Sequence, residues 1–105
     1  MKRAFFHREA ELEMWQAVDY YEGKCKGLGL DFARESSLIL ADIQESPGRY
    51  PIGKHGTRRR LLSRFPYTSH YLEFQDSIWI VAVAHTSRKP YYWRKRLNKQ
   101  AGEET

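Results

Sequence analysis

The run of residues 78–84 constrains the fold more than any other feature, because every one of its side chains is apolar. A strand with one wet face would alternate apolar and polar residues, so this run predicts a strand that is covered on both faces. Such a strand has to lie inside a sheet. The rest of the chain must therefore supply neighbouring strands and the structure that covers them.

Three further segments have strand character. Residues 58–63 and 67–74 precede the apolar run, with Pro66 and the pair Asp76-Ser77 at the reversals. Connections this short predict that consecutive strands pair antiparallel. Near the start of the chain, residues 3–6 read as a short first strand.

Two amphipathic helices are predicted between the first strand and the others. The first spans about residues 9–23, and its apolar stripe is Ala10, Met14, Val18 and Tyr21, with Trp15 and Ala17 beside it. The acidic residues Glu9, Glu11, Glu13, Asp19 and Glu22 are assigned to its opposite face. The second helix follows Gly27-Leu28-Gly29, buries Leu28, Phe32, Ile39 and Ile43, and ends at Pro47-Gly48.

The order of elements, β-α-α-β-β-β-α, predicts an α+β fold in which a helical hairpin packs on one face of a small twisted antiparallel sheet. Pro90 is expected to open a final helix over residues 91–98. At 105 residues the chain is expected to form one domain spanning 1–105, with residues 99–105 a frayed tail.

Composition narrows the classes of function. No apolar run approaches the roughly 20 residues that span a bilayer, and the basic start lacks the apolar core of a signal peptide, so a cytoplasmic protein without membrane contact is expected. Cys25 is the single cysteine and the four histidines are scattered, so neither a metal site nor a cofactor is expected. Phosphate-loop and hydrolase motifs are missing.

Charge is unevenly distributed along the chain. Residues 1–46 hold six Lys and Arg against nine Asp and Glu, whereas residues 47–105 hold twelve against four. An anionic partner is therefore expected to bind the second half. Side-chain alternation predicts that Arg58 and Arg60 share one face of their strand and that Arg59 takes the other. Tyr91 and Trp93 are expected to fold back over the sheet.

Metal-free ribonuclease chemistry is one use for these groups. It requires a base for the 2′-hydroxyl, cations for the developing phosphate charge and an acid for the leaving oxygen. His85 is a candidate base or acid, Arg60 and Arg88 are candidate cations, and Tyr92 is a candidate for proton transfer or stacking. The alternative for His85 is a hydrogen-bonded structural residue at the end of a buried strand.

Several local motifs together resemble the RelE/ParE superfamily of toxins from bacterial type II toxin–antitoxin systems. The motifs are Tyr20-Tyr21, Gly27-Leu28-Gly29-x-x-Phe32, Ser46-Pro47-x-x-Tyr50-Pro51, Arg59-Arg60-x-Leu62-x-x-Arg64-Phe65-Pro66-Tyr67 and Val83-Ala84-His85-x-x-Arg88-x-Pro90-x-Tyr92-Trp93-x-x-Arg96. The last two are the most specific, and the resemblance spans roughly residues 3–97.

The resemblance implies a bacterial growth inhibitor that a cognate antitoxin neutralises, with which it forms an oligomer. ParE-like members, often described as plasmid-stabilisation proteins, poison DNA gyrase, whereas RelE-like members cleave messenger RNA on the ribosome without a metal. The Phe65-Pro66-Tyr67 turn and the ending after His85 are closer to the ParE-like branch. RelE-like nucleases carry a basic pair where this chain has His85-Thr86, which leaves their catalytic set incomplete here.

The resemblance and the charge pattern together nominate two sets of site residues. A nuclease would use Arg60, His85, Arg88 and Tyr92 as its catalytic groups. Contact with the target or the antitoxin is assigned to Lys54, Arg58, Arg59, Arg64, Trp93, Arg94 and Arg96. An interaction module that has lost its toxicity stays open as a third hypothesis.

Overall fold

The computed structural model describes residues 1–97. Its regular elements are β1 (Arg3–Phe6), α1 (Arg8–Lys24), α2 (Leu28–Glu45), β2 (Arg58–Leu61), β3 (Tyr67–Glu73) and β4 (Ser77–His85), with short 3₁₀ helices at Pro47–Arg49 and Lys54–Gly56. The predicted end of the final helix at Asn98 and the predicted frayed tail of residues 99–105 lie outside the described residues.

The strands of the described region form one four-stranded sheet in the order β1-β4-β3-β2. The two antiparallel pairings between β2, β3 and β4 confirm the prediction for residues 58–84. The sheet as a whole is mixed, because β1 pairs with β4 in parallel. The rule that short connections give antiparallel pairs does not apply to β1, which is joined to the other strands through both helices.

The apolar run forms the most buried strand, as its composition predicts. In β4, Ile78 and residues 80–84 are buried, and β1 and β3 flank it in the sheet. The two helices cover one face of the sheet and form the core with it, from Phe32 and Ile43 on α2 to Tyr71 and Ile80 on the strands. On the opposite face Trp93 folds back and is only 2% exposed, as predicted.

The helical hairpin is closed by two glycines with separate roles. Gly27 precedes α2 with a φ of 90°, a left-handed conformation that glycine adopts without a steric penalty. Gly29 lies where the helices approach most closely, since a Cβ there would stand 2.6 Å from the Val18 carbonyl oxygen. A substitution with a side chain at position 29 is therefore expected to force the helices apart.

Three details differ from the sequence prediction. Trp15 was grouped with the apolar stripe of α1 but is 51% exposed, and Glu13 was assigned to the solvent face but is largely buried. The final helix is predicted to begin at residue 91, yet within residues 1–97 it begins only at residue 94. Tyr91 has a φ of 59°, and this left-handed residue prevents the helix from starting there.

Candidate functional site

The predicted site residues cluster where β4 ends and the chain turns back. His85 is the last residue of β4, and Arg88 donates its backbone N–H to the His85 carbonyl at 3.0 Å, which closes a tight turn. The backbone N–H of Ser87 donates to His85 Nδ1 at 3.0 Å, and the Ser87 hydroxyl lies 2.7 Å from the same nitrogen. An Nδ1 that accepts these hydrogen bonds leaves the proton of the neutral imidazole on Nε2.

Glu13 of α1 anchors the segment that follows the turn. Its carboxylate is 12% exposed and accepts a hydrogen bond from the Tyr92 hydroxyl at 2.6 Å. Arg96 donates to both carboxylate oxygens, at 2.9 and 3.0 Å, in the bidentate geometry of a strong pair. We call Glu13, Tyr92 and Arg96 the C-terminal clasp, because they hold residues 86–97 against the helix and the sheet.

The clasp also completes the edge of β4. β1 ends opposite Ile80, so the next residues of β4 have no strand beside them on that side. There the backbone N–H of Val83 donates to Glu13 at 3.1 Å, and Arg96 donates to the Val81 carbonyl at 2.9 Å. Two side chains thus satisfy backbone groups that a longer β1 would have paired.

The electrostatics of the clasp keep Tyr92 in its protonated form. Burial, together with the hydrogen bond to Glu13 and the negative charge of that residue, raises the pKa of Tyr92 well above its ordinary value. The Arg88 guanidinium lies 3.8 Å from the centroid of the Tyr92 ring and 3.9 Å from the Glu13 carboxylate. Tyr92 therefore acts here as a hydrogen-bond donor to Glu13.

Two arginines of β2 face the helices, as alternation predicts. Arg60 Nε lies 2.9 Å from the Tyr50 hydroxyl and 3.4 Å from Asp42 of α2. Arg58 pairs with Glu73 at 3.5 Å. The Tyr50 hydroxyl donates to Asp42, and this bond holds the pKa of Asp42 below its ordinary value, while burial opposes the shift and nearby arginines add to it. Both arginines are therefore neutralised within the fold.

Arg59 takes the opposite face of β2, where the C-terminal segment covers the sheet. It lies beside His70, whose ring is 5.0 Å from that of Trp93. Burial, together with the positive charge of Arg59, lowers the pKa of His70 to about 4, so the imidazole is neutral at pH 7. Lys54 Nζ lies 5.4 Å from the centroid of the Tyr91 ring, close to the same surface.

A groove of about 630 Å³ runs between this face of the sheet and the C-terminal segment. Its lining residues are Arg59, Leu61, Thr68, His70, Ala84, His85, Thr86, Arg88, Lys89, Pro90, Tyr91, Tyr92 and Trp93. Cations and aromatic rings thus lie together along one groove, and this composition suits an anionic partner. We call it the cationic groove.

The two predicted residue sets are brought together only in part. His85, Arg88 and Tyr92 lie at the end of β4, whereas Arg60 lies on β2, beyond β3, on the side of α2. Of the predicted contact set, Lys54, Arg59, Arg64 and Arg94 are exposed. Arg58 is partly buried against Glu73, Arg96 belongs to the clasp, and Trp93 is buried beneath the segment.

Glu13 is the residue that sequence reasoning missed. It was assigned to the wet face because it is charged, although it lies three residues after Ala10 and four before Ala17, both of which are buried. This spacing places it on the buried stripe of α1. A carboxylate on a buried stripe needs a cationic partner, and the chain has arginines that lack local acidic partners. This combination was the signal in the sequence that could have identified Glu13.

Among residues 1–97, no group of three or more His, Cys, Asp or Glu side chains is arranged to hold a metal ion. In the same part of the chain, none of the helices combines the length and apolar character needed to span a bilayer.

The fold has a counterpart among solved structures. A chain of the chromosomal ParDE TA system from P. aeruginosa superposes with a TM-score of 0.72 over 81% of this chain and 96% of that chain, at 17% sequence identity. No protein-family model matches the sequence, and no curated protein matches it significantly. At this level of identity the likeness shows that the two chains share the α+β fold.

Proposed function

We propose that this protein is the toxin of a type II toxin–antitoxin system, of the ParE-like branch, in which a single domain inhibits growth by binding DNA gyrase and blocking replication. The observation that carries the proposal is the fold shared with a chain of a ParDE TA system over 96% of that chain. The motifs that resemble this branch, Phe65-Pro66-Tyr67 and the segment from His85 to Trp93, add support from the sequence.

The charge distribution supports neutralisation by a cognate antitoxin. Lys54 and Arg59 are exposed and line one surface, and an acidic partner that covered them would remove like-charge repulsion there. The same surface would serve an acidic region of the target, so antitoxin and target would compete. The resulting complex is expected to be an oligomer of toxin and antitoxin.

Two contacts favour the non-enzymatic activity over a nuclease. Arg60 already binds Asp42 and Tyr50, and these contacts satisfy its charge on β2, two strands away from β4. The Tyr92 hydroxyl donates to Glu13, and its raised pKa opposes the loss of a proton. Two of the four candidate catalytic groups are thus committed to internal bonds.

One observation favours the alternative, a ribosome-dependent, metal-free messenger RNA endonuclease. His85 has its Nδ1 fixed by Ser87, and it lines the cationic groove together with Arg88. A histidine held in one tautomer beside a cation is suited to proton transfer next to a phosphate. This alternative requires His85 to be essential for toxicity.

The decisive experiment is inducible expression in a growing bacterial host, with pulse-labelling of DNA and protein synthesis. Gyrase poisoning predicts that DNA synthesis falls first, and that the purified protein inhibits gyrase supercoiling or accumulates cleavage complexes. An early loss of translation with messenger cuts at ribosomal A-site codons would overturn the gyrase proposal. Normal growth on full expression would support the non-toxic interaction module instead.

Variants distinguish the two activities within the same assay. Arg59→Ala combined with Lys54→Ala is expected to weaken toxicity, whereas Arg34→Ala, an exposed arginine on α2, serves as the matched control. His85→Ala should leave gyrase inhibition largely intact. If His85→Ala restores growth while the protein stays folded, the nuclease is favoured.

A further inference from the structure

A second groove lies on the helix side of the sheet, between α1 and the ends of β3 and β4. It has a volume of about 430 Å³. Ala17 and Val83, which are 2% and 4% exposed, line its apolar part. Aromatic rings of Tyr20, Tyr21 and Tyr67 form much of the remaining wall. We call this the tyrosine groove.

The rings of the tyrosine groove are held at fixed angles to one another. Tyr20 and Tyr21 have centroids 5.2 Å apart at 82°, and Tyr21 and Tyr67 are 6.1 Å apart at 69°. Tyr67 meets the His85 ring at 5.2 Å and 82°. This edge-to-face series presents both ring faces and ring edges, so a further flat ring can find a favourable orientation among them.

The charged residues around the tyrosine groove favour a negatively charged ligand. Arg88 lines it with a side chain that is 52% exposed, and its nearest carboxylate, Glu13 at 3.9 Å, is already bound by the rest of the clasp. Lys24 lies 5.2 Å from the centroid of the Tyr20 ring, near the same groove. Glu13, the other charged residue of this wall, is already paired with Arg96, so a carboxylate ligand would find in Arg88 a poorly compensated partner.

We propose that the tyrosine groove is a docking site for an acidic segment of a partner protein, which inserts one aromatic side chain among the tyrosines and pairs an adjacent carboxylate with Arg88. The proposal deepens the proposed function, since an antitoxin would be the natural source of such a segment. The tyrosine groove and the cationic groove lie on opposite faces of the sheet and share His85 and Arg88 at the turn between them. A partner that used both would cover the two sides of the turn after β4.

A matched pair of small probes tests the site without any antitoxin. Indoleacetate and tryptamine carry the same ring but opposite charges at neutral pH. In titrations followed by ¹H–¹⁵N NMR of the full chain, indoleacetate is expected to shift the amide signals of Gln16, Ala17 and Val83, and to bind more tightly than tryptamine. Growth inhibition is not measured here, so a failure would remove the docking site and leave the proposed toxin function standing.

Two variants, each with a control, measure how much the charge of Arg88 and the ring of Tyr20 contribute to binding. Arg88→Ala should weaken indoleacetate binding by up to about fivefold, as the loss of one half-exposed charge pair does, while Arg94→Ala should not. Tyr20→Ala should weaken it by roughly two- to tenfold, whereas Trp15→Ala, exposed on the same helix, should not. All four positions are exposed, so these variants are expected to fold.

The outcomes divide cleanly. Shifts centred on Ala17 and Val83, together with weaker binding by Arg88→Ala, support the docking site. No binding, equal or tighter binding of tryptamine, or shifts centred on Tyr91 and the cationic groove would overturn it.

Discussion

Each helix of the hairpin supplies one carboxylate to a tyrosine and an arginine, but the two clusters differ in depth. The partners are Tyr92 and Arg96 for Glu13, and Tyr50 and Arg60 for Asp42. Glu13 is 12% exposed and Asp42 is 26% exposed. Similar chemistry is thus present twice, once nearly sealed from water and once partly open to it.

The difference in depth gives the two carboxylates different roles. Glu13 contacts Arg96 at 2.9 Å and also accepts a backbone N–H of β4, so it joins three parts of the chain. Asp42 is 3.4 Å from Arg60 and shares its charge with the exposed Arg49. Breaking a buried ion pair costs much more free energy than breaking a solvent-exposed one. The clasp is therefore expected to hold the fold together, while the Asp42 cluster mainly neutralises Arg60.

The largest predicted effect is the loss of the clasp carboxylate. Glu13→Gln should lower the free energy of unfolding by about 3 kcal/mol, because it leaves the largely buried guanidinium of Arg96 with only the exposed carboxylate of Glu9, at 4.0 Å, as a counter-charge. Urea denaturation measures this loss, with Glu11→Gln, exposed on the same helix, as the control. A loss below about 1 kcal/mol would mean that the two clusters are equivalent after all.

His70 also titrates at acidic pH. Its effect on the free energy of unfolding has to be known before the Glu13 and Asp42 clusters are compared there. The folded-state pKa is about 4 against an ordinary value of 6.5, so below pH 6.5 the unfolded state binds more protons than the folded state. The contribution is therefore fully present well above pH 6.5 and is lost as the pH falls toward the folded-state value, by about 3 kcal/mol at pH 4. His70→Gln should flatten this window in urea denaturation series, and an unchanged slope would contradict the assignment.

The two tyrosine hydroxyls give a finer comparison. Tyr92→Phe should cost about 1.5 kcal/mol, because a hydrogen bond to a buried carboxylate is removed without changing the ring. Tyr50→Phe should cost less, since Asp42 is more exposed to water. Hydrogen exchange adds a local test: Tyr92→Phe should speed amide exchange in residues 86–97 more than elsewhere. If both variants lost the same free energy of unfolding, the difference in burial between the two clusters would have no effect on stability.

The smallest predicted effect belongs to Asp42. Asp42→Asn should cost about 1 kcal/mol at pH 7, with Asp31→Asn, which removes an exposed contact to Arg64, as the control. The pKa of Asp42 is lowered from 3.8, so its contribution is present above that pH and is lost as the pH falls through the folded-state value. Thermal melts between pH 5 and 2 should therefore show a shallower decline for the variant than for the parent.

The sequence predicted the features that depend only on which face of a helix or strand a side chain occupies. The apolar run of β4 predicted a strand covered on both faces, and alternation predicted that Arg59 would separate from Arg58 and Arg60. Trp93 was expected over the sheet and lies there. Each of these follows from which face of an element a side chain occupies.

The remaining features depend on contacts between distant segments, which local patterns do not record. β1 pairs in parallel because the whole hairpin intervenes before β4, and no turn residue signals that choice. Glu13 and Arg96 are 83 positions apart in sequence, so neither residue alone revealed the pair. Side-chain alternation predicts which β2 arginines share a face, but it does not predict the carboxylates with which they pair. Asp42 and Glu73 became evident only with the register of the sheet.

The short length of β1 has a consequence for how this chain behaves in a crowded solution. A strand with unpaired N–H and C=O groups along one side is a template on which another chain can add a strand. Here the carboxylate of Glu13 and the guanidinium of Arg96 bind the backbone groups of Val83 and Val81, so this stretch of β4 has no free backbone groups to offer. The same two side chains that fasten the C-terminal segment therefore also block strand addition along this stretch of β4, and a chain that loses either one is expected to expose it to pairing with another chain.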